Sequence, residues 1–193
     1  MVEKKTRAKI GQRVDAQRNR SRLLEAAKEC FAKGGDAVTL DDIVNHAGVG
    51  IGTLYRHFKT REALIEAVYL TEHEKLVERA KELESSMSAV DALEQWLLSF
   101  VDMLATKRAM RESLNLLFST KPEVHATSRN MMQPNLRRMI ERASAAGEVS
   151  TSIDPVDILR ALVGIAYGSN EPDWQENAHN FVRLLIMGMR VKR

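Results

Sequence analysis

The sequence holds one cysteine, Cys30, in 193 residues, so no intramolecular disulfide can form and a disulfide-stapled miniprotein is excluded. Long hydrophobic runs are also missing. The longest stretch without Asp, Glu, Lys or Arg is Ile43 to Tyr55, interrupted by Asn45, His46, Gly48, Gly50 and Gly52, and it falls short of the ~20 apolar residues a membrane span requires. The N-terminus is polar and basic and lacks the apolar stretch of a secretory signal. With a lone thiol, the expectation is a reducing, cytoplasmic setting. Glycine and proline are scarce, at 10 and 4 residues, which argues against collagenous and low-complexity disordered classes. What is there is a globular composition, 44% hydrophobic and 28% charged, in a chain long enough for one domain or two small ones of roughly 150 residues each.

The net charge of +3 is unevenly spread. Residues 1–60 carry 12 Lys and Arg against 7 Asp and Glu, while residues 61–193 carry 17 against 19. Within the basic end, residues 1–22 hold Lys4, Lys5, Arg7, Lys9, Arg13, Arg18, Arg20 and Arg22 against Glu3 and Asp15. Such an arm suits a polyanion, because every phosphate it neutralises releases condensed counterions. An isolated basic tail reads equally well as a solvated segment that aids solubility, so the segment after it has to decide.

All four prolines, Pro122, Pro134, Pro155 and Pro172, lie in the second half, and from Arg18 to Lys121 apolar residues recur at spacings of three and four. That period is helical. Leu23, Ala27, Cys30 and Phe31 form the stripe of a first helix starting near Arg18, which Gly34 and Gly35 end by supplying a positive-φ cap. Thr39 opens a short second helix, with Asp42 able to reach back to it and Ile43, Val44 and Ala47 as the buried face, and Gly48 stops it. A third short helix spans about Gly50 to Phe58, and Thr60 caps a long fourth one to about Glu84, where Ser85, Ser86 and Ser88 mark a break. Val90, Leu93, Leu97, Phe100, Val101 and Leu104 trace a fifth, Arg111 to Phe118 a sixth, and Glu123 to Ala146 a seventh with Pro134 inside it. The last two, near Pro155 to Gly168 and Trp174 to Lys192, are apolar nearly all round at 158–166 and 181–186, so each needs partners on several sides.

The segment Thr39 to Glu62 reads as a helix-turn-helix. Its second helix has Leu54 and Phe58 as apolar anchors, while Thr53, Tyr55, Arg56, His57 and Lys59 offer donors on the outward side, suited to phosphates and base edges. Two glycines in so short a helix cost about 1 kcal/mol each relative to alanine. They serve either close approach by another molecule or tight packing within the chain.

These residues carry a family resemblance. Thr39-Leu-Asp-Asp-Ile-Val, Ala47-Gly-Val-Gly-Ile-Gly-Thr-Leu-Tyr-Arg-His-Phe58 and Thr60-Arg-Glu-Ala-Leu64 resemble the TetR family of bacterial transcriptional regulators over roughly residues 18–68. The resemblance implies an all-α fold of about nine helices, in which a three-helix DNA-binding head precedes a larger helical body that binds ligand and dimerises. The corresponding divisions are a basic flexible arm at 1–17, the head at 18–64 and the body at 65–193. Carried over by position, Thr39, Tyr55, His57 and Lys59 hold phosphates, and Gly50, Gly52 and Thr53 face bases. The sequence departs from the commoner family pattern at Gly50, often a hydroxyl residue or proline, and at Arg61, often lysine. The implied mechanism is that of a repressor dimer on a pseudo-palindromic operator, whose third helices enter successive major grooves. A small effector in the body tilts the fourth helix and releases the DNA.

An enzyme reading finds no site. His73-Glu74 is followed by Val77 where a zinc-binding histidine would stand, no cysteine pair exists, and Gly48, Gly50 and Gly52 fit neither phosphate-loop spacing. Ser169 lacks a nucleophile-elbow frame, and His46, His57, His73, His125 and His179 are dispersed. No metal or cofactor is expected. In the body, Trp96, Phe100, Met103, Leu117, Phe118, Met131, Met132 and Tyr167, with Asn115 and His125 as polar anchors, are candidates to line an effector pocket. Aromatic and Met residues at helical spacing also read as plain core. The two apolar final helices fit a homodimer built as an intermolecular four-helix bundle. The competing function is a helical small-molecule carrier or interaction module with an idle head, against which Gly52, Tyr55, Lys59 and the basic arm argue.

Overall fold

The computed structural model describes residues 2–168 and 171–191, with side chains from Val14 onward. Its regular elements are helices: α1 (Val2–Gly34), a 3-10 turn (Gly35–Ala37), α2 (Leu40–Ala47), α3 (Ile51–His57), α4 (Arg61–Ser86), α5 (Ala89–Ala109), α6 (Arg111–Thr120), α7 (Pro122–Ala145), α8 (Pro155–Gly168) and α9 (Trp174–Met189). No helix among the described residues is long and apolar enough to cross a membrane. The chain divides into two compact units, one of Met1–Val68 with Ala109–Leu117, the other of Tyr69–Arg108 with Phe118–Arg193.

In the first unit α1 begins at Val2, well before the start near Arg18 read from the apolar stripe. The stripe begins only at Leu23, but Lys, Arg, Ala and Gln before it are good helix formers and no proline interrupts them. The side chains of Lys4, Lys5, Arg7, Lys9 and Arg13 lie outside the described residues, so the arm's contacts are not defined. Leu23, Ala27 and Phe31 of α1 are fully buried with Ile43, Leu54 and Leu64. The turn after α1 rests on Gly35 at φ +58°, and a Cβ on Gly34 would sit 2.8 Å from Val38.

Thr39 then caps α2 reciprocally: its hydroxyl accepts the Asp42 N–H at 3.1 Å while the Asp42 carboxylate accepts the Thr39 N–H at 2.9 Å. Gly48 ends α2 at φ +63°, its N–H bonding back to the Asn45 and Val44 carbonyls. Arg22 of α1 closes this turn by donating to the Ala47 carbonyl at 2.6 Å.

Residues 109–117 belong to this unit too, although a linear reading assigns them to the body. The Asp36 carboxylate accepts the backbone N–H groups of Glu112 and Ser113, both at 2.9 Å, and so caps the start of α6. Burial raises the Asp36 pKa, but these bonds and the nearby Arg61 outweigh it and hold the carboxyl below its ordinary value. Arg61 itself lies over the Phe31 ring and donates to the Asp36 and Val38 carbonyls.

In the second unit, α4, α5, α7, α8 and α9 share a core centred on Trp96, Leu93, Leu97, Leu136, Leu162 and Val182. The Trp96 indole N–H donates to the Leu76 carbonyl at 3.0 Å, which satisfies the one polar group of a fully buried ring. Helix α4 continues through Ser85 and Ser86, whose hydroxyls donate back to the Glu82 carbonyl; Ser88 instead caps α5 by accepting the Asp91 N–H. Helix α9 stops at Met189, and a single antiparallel bridge between Val149 and Arg190 ties its end to the segment after α7. Along α8 and α9 one face is buried through Ile158, Leu162, Val182 and Ile186, yet Leu184 and Met187 remain 60% and 67% exposed.

Candidate DNA interface and ligand cavity

Two sequence features aim α3. Leu54, with no exposed surface, and Phe58, at 3%, fix the helix to the core and set which side faces out. Emptying a buried leucine or phenylalanine costs about 2–5 kcal/mol, so these two are anchors rather than contacts. Arg20 lies over the Phe58 ring and holds it from the α1 side. The outward side presents Gly50, Gly52, Tyr55, Arg56 and Lys59 exposed, with Thr53 and His57 half-buried.

A Cβ added at Gly50 or Gly52 would meet nothing within 4 Å. Neither glycine has a positive φ. Gly50 is the N-cap of α3, a position that favours glycine, whereas packing and backbone conformation within the described residues leave Gly52 unexplained and close approach by an outside molecule explains it. Thr39 is exposed, but its hydroxyl already donates to Asp42 at 2.6 Å, so its proton reaches a phosphate only if that bond is exchanged. Ile51, 39% exposed at the first position of α3, is given no role by the sequence reading.

The second unit carries a half-open cavity of about 440 Å³, within the size range of small-molecule sites. Its walls are Tyr69 and His73 of α4, Phe100, Met103, Leu104 and Lys107 of α5, His125, Ser128, Arg129, Met132 and Gln133 of α7, and Val156, Leu159, Arg160, Val163 and Gly164 of α8. Of the residues expected at a pocket, Phe100, Met103, His125 and Met132 line it. Trp96 stacks on Phe100 at 5.9 Å but is core. Phe118 stands behind the wall, 5.2 Å from the Tyr69 ring and 5.1 Å from that of His125. Met131 and Tyr167 pack against the core outside the lining. Asn115 and Leu117 are not in this unit at all, since α6 up to Leu117 belongs to the first.

Two family models match the chain, one in each part. Residues 23–68 match the model of bacterial regulatory proteins of the tetR family, and residues 88–191 match that of the C-terminal domain of transcriptional regulators like SbtR. A TetR transcriptional regulator from Streptomyces coelicolor superposes with a TM-score of 0.80 at 35% identity, covering 90% of this chain and 99% of its own. The chain belongs to the TetR family. It is a DNA-binding transcriptional regulator. A regulatory protein of the family from Mycobacterium vanbaalenii gives a TM-score of 0.72 at 30% identity over 93% of this chain and 99% of its own. The curated regulator UidR of Escherichia coli is 28% identical over 158 residues, 80% of this chain and 81% of its own.

In this TetR-family chain Arg61 has a structural task, bridging the α1–α2 turn over Phe31. The cavity carries a polar chain that sequence reading missed. The Ser128 hydroxyl donates to the His125 carbonyl at 2.9 Å, so the Tyr69 hydroxyl is the donor in its 2.6 Å bond to Ser128. Burial raises the Tyr69 pKa and keeps the phenol protonated. His73 Nδ1 lies 2.7 Å from the Tyr69 carbonyl and donates to it, leaving Nε2 the acceptor. Burial pushes the His73 pKa down to about 4, so the ring is neutral near pH 7. Tyr69 and His73 stand one turn apart on the apolar stripe of α4, a polar-tipped pair that was the available signal.

Proposed function

We propose that this chain is a cytoplasmic homodimeric repressor that occupies a pseudo-palindromic operator and leaves it when a small effector fills the cavity. The observation that carries the DNA part is the α3 face, where Gly52, which nothing among the described residues requires to be glycine, lies beside exposed Tyr55 and Lys59. Gly50, Gly52 and Thr53 approach base edges, while Thr39, Tyr55, His57 and Lys59 take phosphates. The apolar surface of Leu184 and Met187 on α9 supports pairing of α8 and α9 with their copies around a two-fold axis. Two-fold protein symmetry then demands two half-sites about 34 Å apart.

The effector part rests on the cavity and on the continuity of α4, which carries Leu64 and Val68 in the first unit and Tyr69 and His73 in the second. A ligand that changes the packing around Tyr69 and His73 acts on the same helix that anchors the head. Effector and operator then oppose each other by equal free energies in both directions. Selection of bound sequences from a random duplex library tests the reading. Enrichment of an inverted repeat is expected, and enrichment of a single unpaired site or of nothing overturns it.

A further inference from the structure

The cavity wall contains Lys107, Arg129 and Arg160 and no Asp or Glu. Arg160 has an acidic neighbour on its own helix, Asp157 at 3.0 Å, with both side chains well exposed. Lys107 has none: among the described residues it makes no hydrogen bond or ion pair, and its Nζ sits among three rings, 5.9 Å from the centroids of Tyr69 and Phe118 and 5.8 Å from that of Tyr167. Rings attract an ammonium through their quadrupole, but they bring no compensating charge. Burying a cation without a counter-charge is costly, and burial accordingly lowers the Lys107 pKa. His73 and His125, the two imidazoles in the wall, are themselves pushed toward the neutral form by burial and by the Lys107 charge, and burial keeps the Tyr69 phenol protonated. The positive potential of the wall therefore comes from Lys107 and the two arginines. Phe100, Met103, Leu104, Met132, Leu159 and Val163 supply apolar wall, beside the neutral polar groups of Tyr69, Ser128 and Gln133.

We propose that the cavity takes a small organic anion, a single carboxylate or sulfonate on an apolar frame, with the Lys107 ammonium as its counter-charge. The proposal deepens the effector-site reading and adds the chemical class of the ligand. In the free protein Lys107 is a half-buried charge without a counter-charge, and a bound anion converts that cost into a charge-assisted contact. A neutral molecule of the same shape fills the apolar part and leaves the ammonium uncompensated.

The test compares two fluorescent probes of one frame on the full-length protein: anilinonaphthalene sulfonate, which is anionic, and N-phenylnaphthylamine, which is not. The wild type is expected to bind the sulfonate about tenfold or more tightly than the amine, as a contact to a charged group warrants. Lys107→Met removes that preference while the amine still binds, and Lys107→Arg keeps part of it. Equal affinity of the two probes for the wild type, or an undiminished preference in Lys107→Met, overturns the proposal. Should Lys107→Met fail to fold, displacement of the sulfonate from the wild type decides: decanoate is expected to compete and decanol not, and equal competition overturns the proposal. DNA release is read separately on a protein–operator complex. Binding of decanoate that follows this pattern without release leaves the anion site standing and removes its effector role. Release by decanol and not by decanoate keeps the effector reading and refutes the anion.

Discussion

Gly52→Ala separates folding from DNA binding in one substitution. Gly52 lies in the first turn of α3, at an ordinary helical φ, and a Cβ there meets nothing within 4 Å. Within the free protein the change adds no clash and removes backbone freedom from the unfolded chain, which favours alanine by about 0.5–1 kcal/mol in a helix. For a chain of this size that corresponds to a rise in melting temperature of roughly 1–4 °C. On DNA the same methyl group projects from the face that approaches base edges. If it costs about 1 kcal/mol per head, a dimer with two heads loses about 2 kcal/mol, roughly thirtyfold in affinity. Differential scanning fluorimetry gives the first number and fluorescence anisotropy against operator DNA the second. A variant that is more stable and binds DNA more weakly agrees with the reasoning. Unchanged DNA affinity would refute the claim that this face docks on DNA, and a loss of stability would show that Gly52 is needed by the fold.

Three further outcomes follow from other parts of the molecule. Tyr55→Ala removes a half-exposed phenol outside the core, so it should weaken binding to all sequences alike and lower the salt slope by about one unit per head, measured by anisotropy at several salt concentrations; an unchanged slope removes the phosphate role. Leu184→Glu combined with Met187→Glu places charges on the exposed face of α9 and should give a monomer in sedimentation at micromolar concentration, whereas a persistent dimer places the interface elsewhere. His73 titrates near pH 4 in the folded state against about 6.5 ordinarily, so the unfolded chain binds the proton more readily between those values. Its contribution is complete above pH ~6.5, is lost as pH falls and is exhausted below about 4; between pH 7 and 5 the loss is on the order of 2 kcal/mol. Urea denaturation at both pH values should show a smaller loss for His73→Gln, and an equal loss would assign the pH dependence to other groups.

The head was legible because its signals are local. The Thr39–Asp42 box, the Gly48 turn and the Leu54 and Phe58 anchors each need only a few neighbouring residues to be recognised. The cavity was legible in part, because a helical stripe cannot say where core ends and cavity begins. Phe100 and Met103 continue the face that Trp96 occupies one turn earlier, yet only the first two reach the cavity. Lys107, near the end of α5 beside Arg108, looks like an ordinary cation in a last turn, and its burial follows only from where α4, α7 and α8 pass. Asn115 and Leu117 were misplaced for a similar reason. The part of α6 up to Leu117 lies in the first unit, where Asp36 caps it through a contact across 76 residues of sequence that no periodicity reports.

The central claim is that the α3 face recognises an operator. Its most direct test is anisotropy of the purified protein on the intergenic DNA upstream of its own gene, across salt concentrations and against unrelated competitor DNA. Tight, sequence-selective binding with a steep salt dependence is expected. Weak binding that unrelated DNA competes equally would contradict the claim and move the carrier with an idle head to the front.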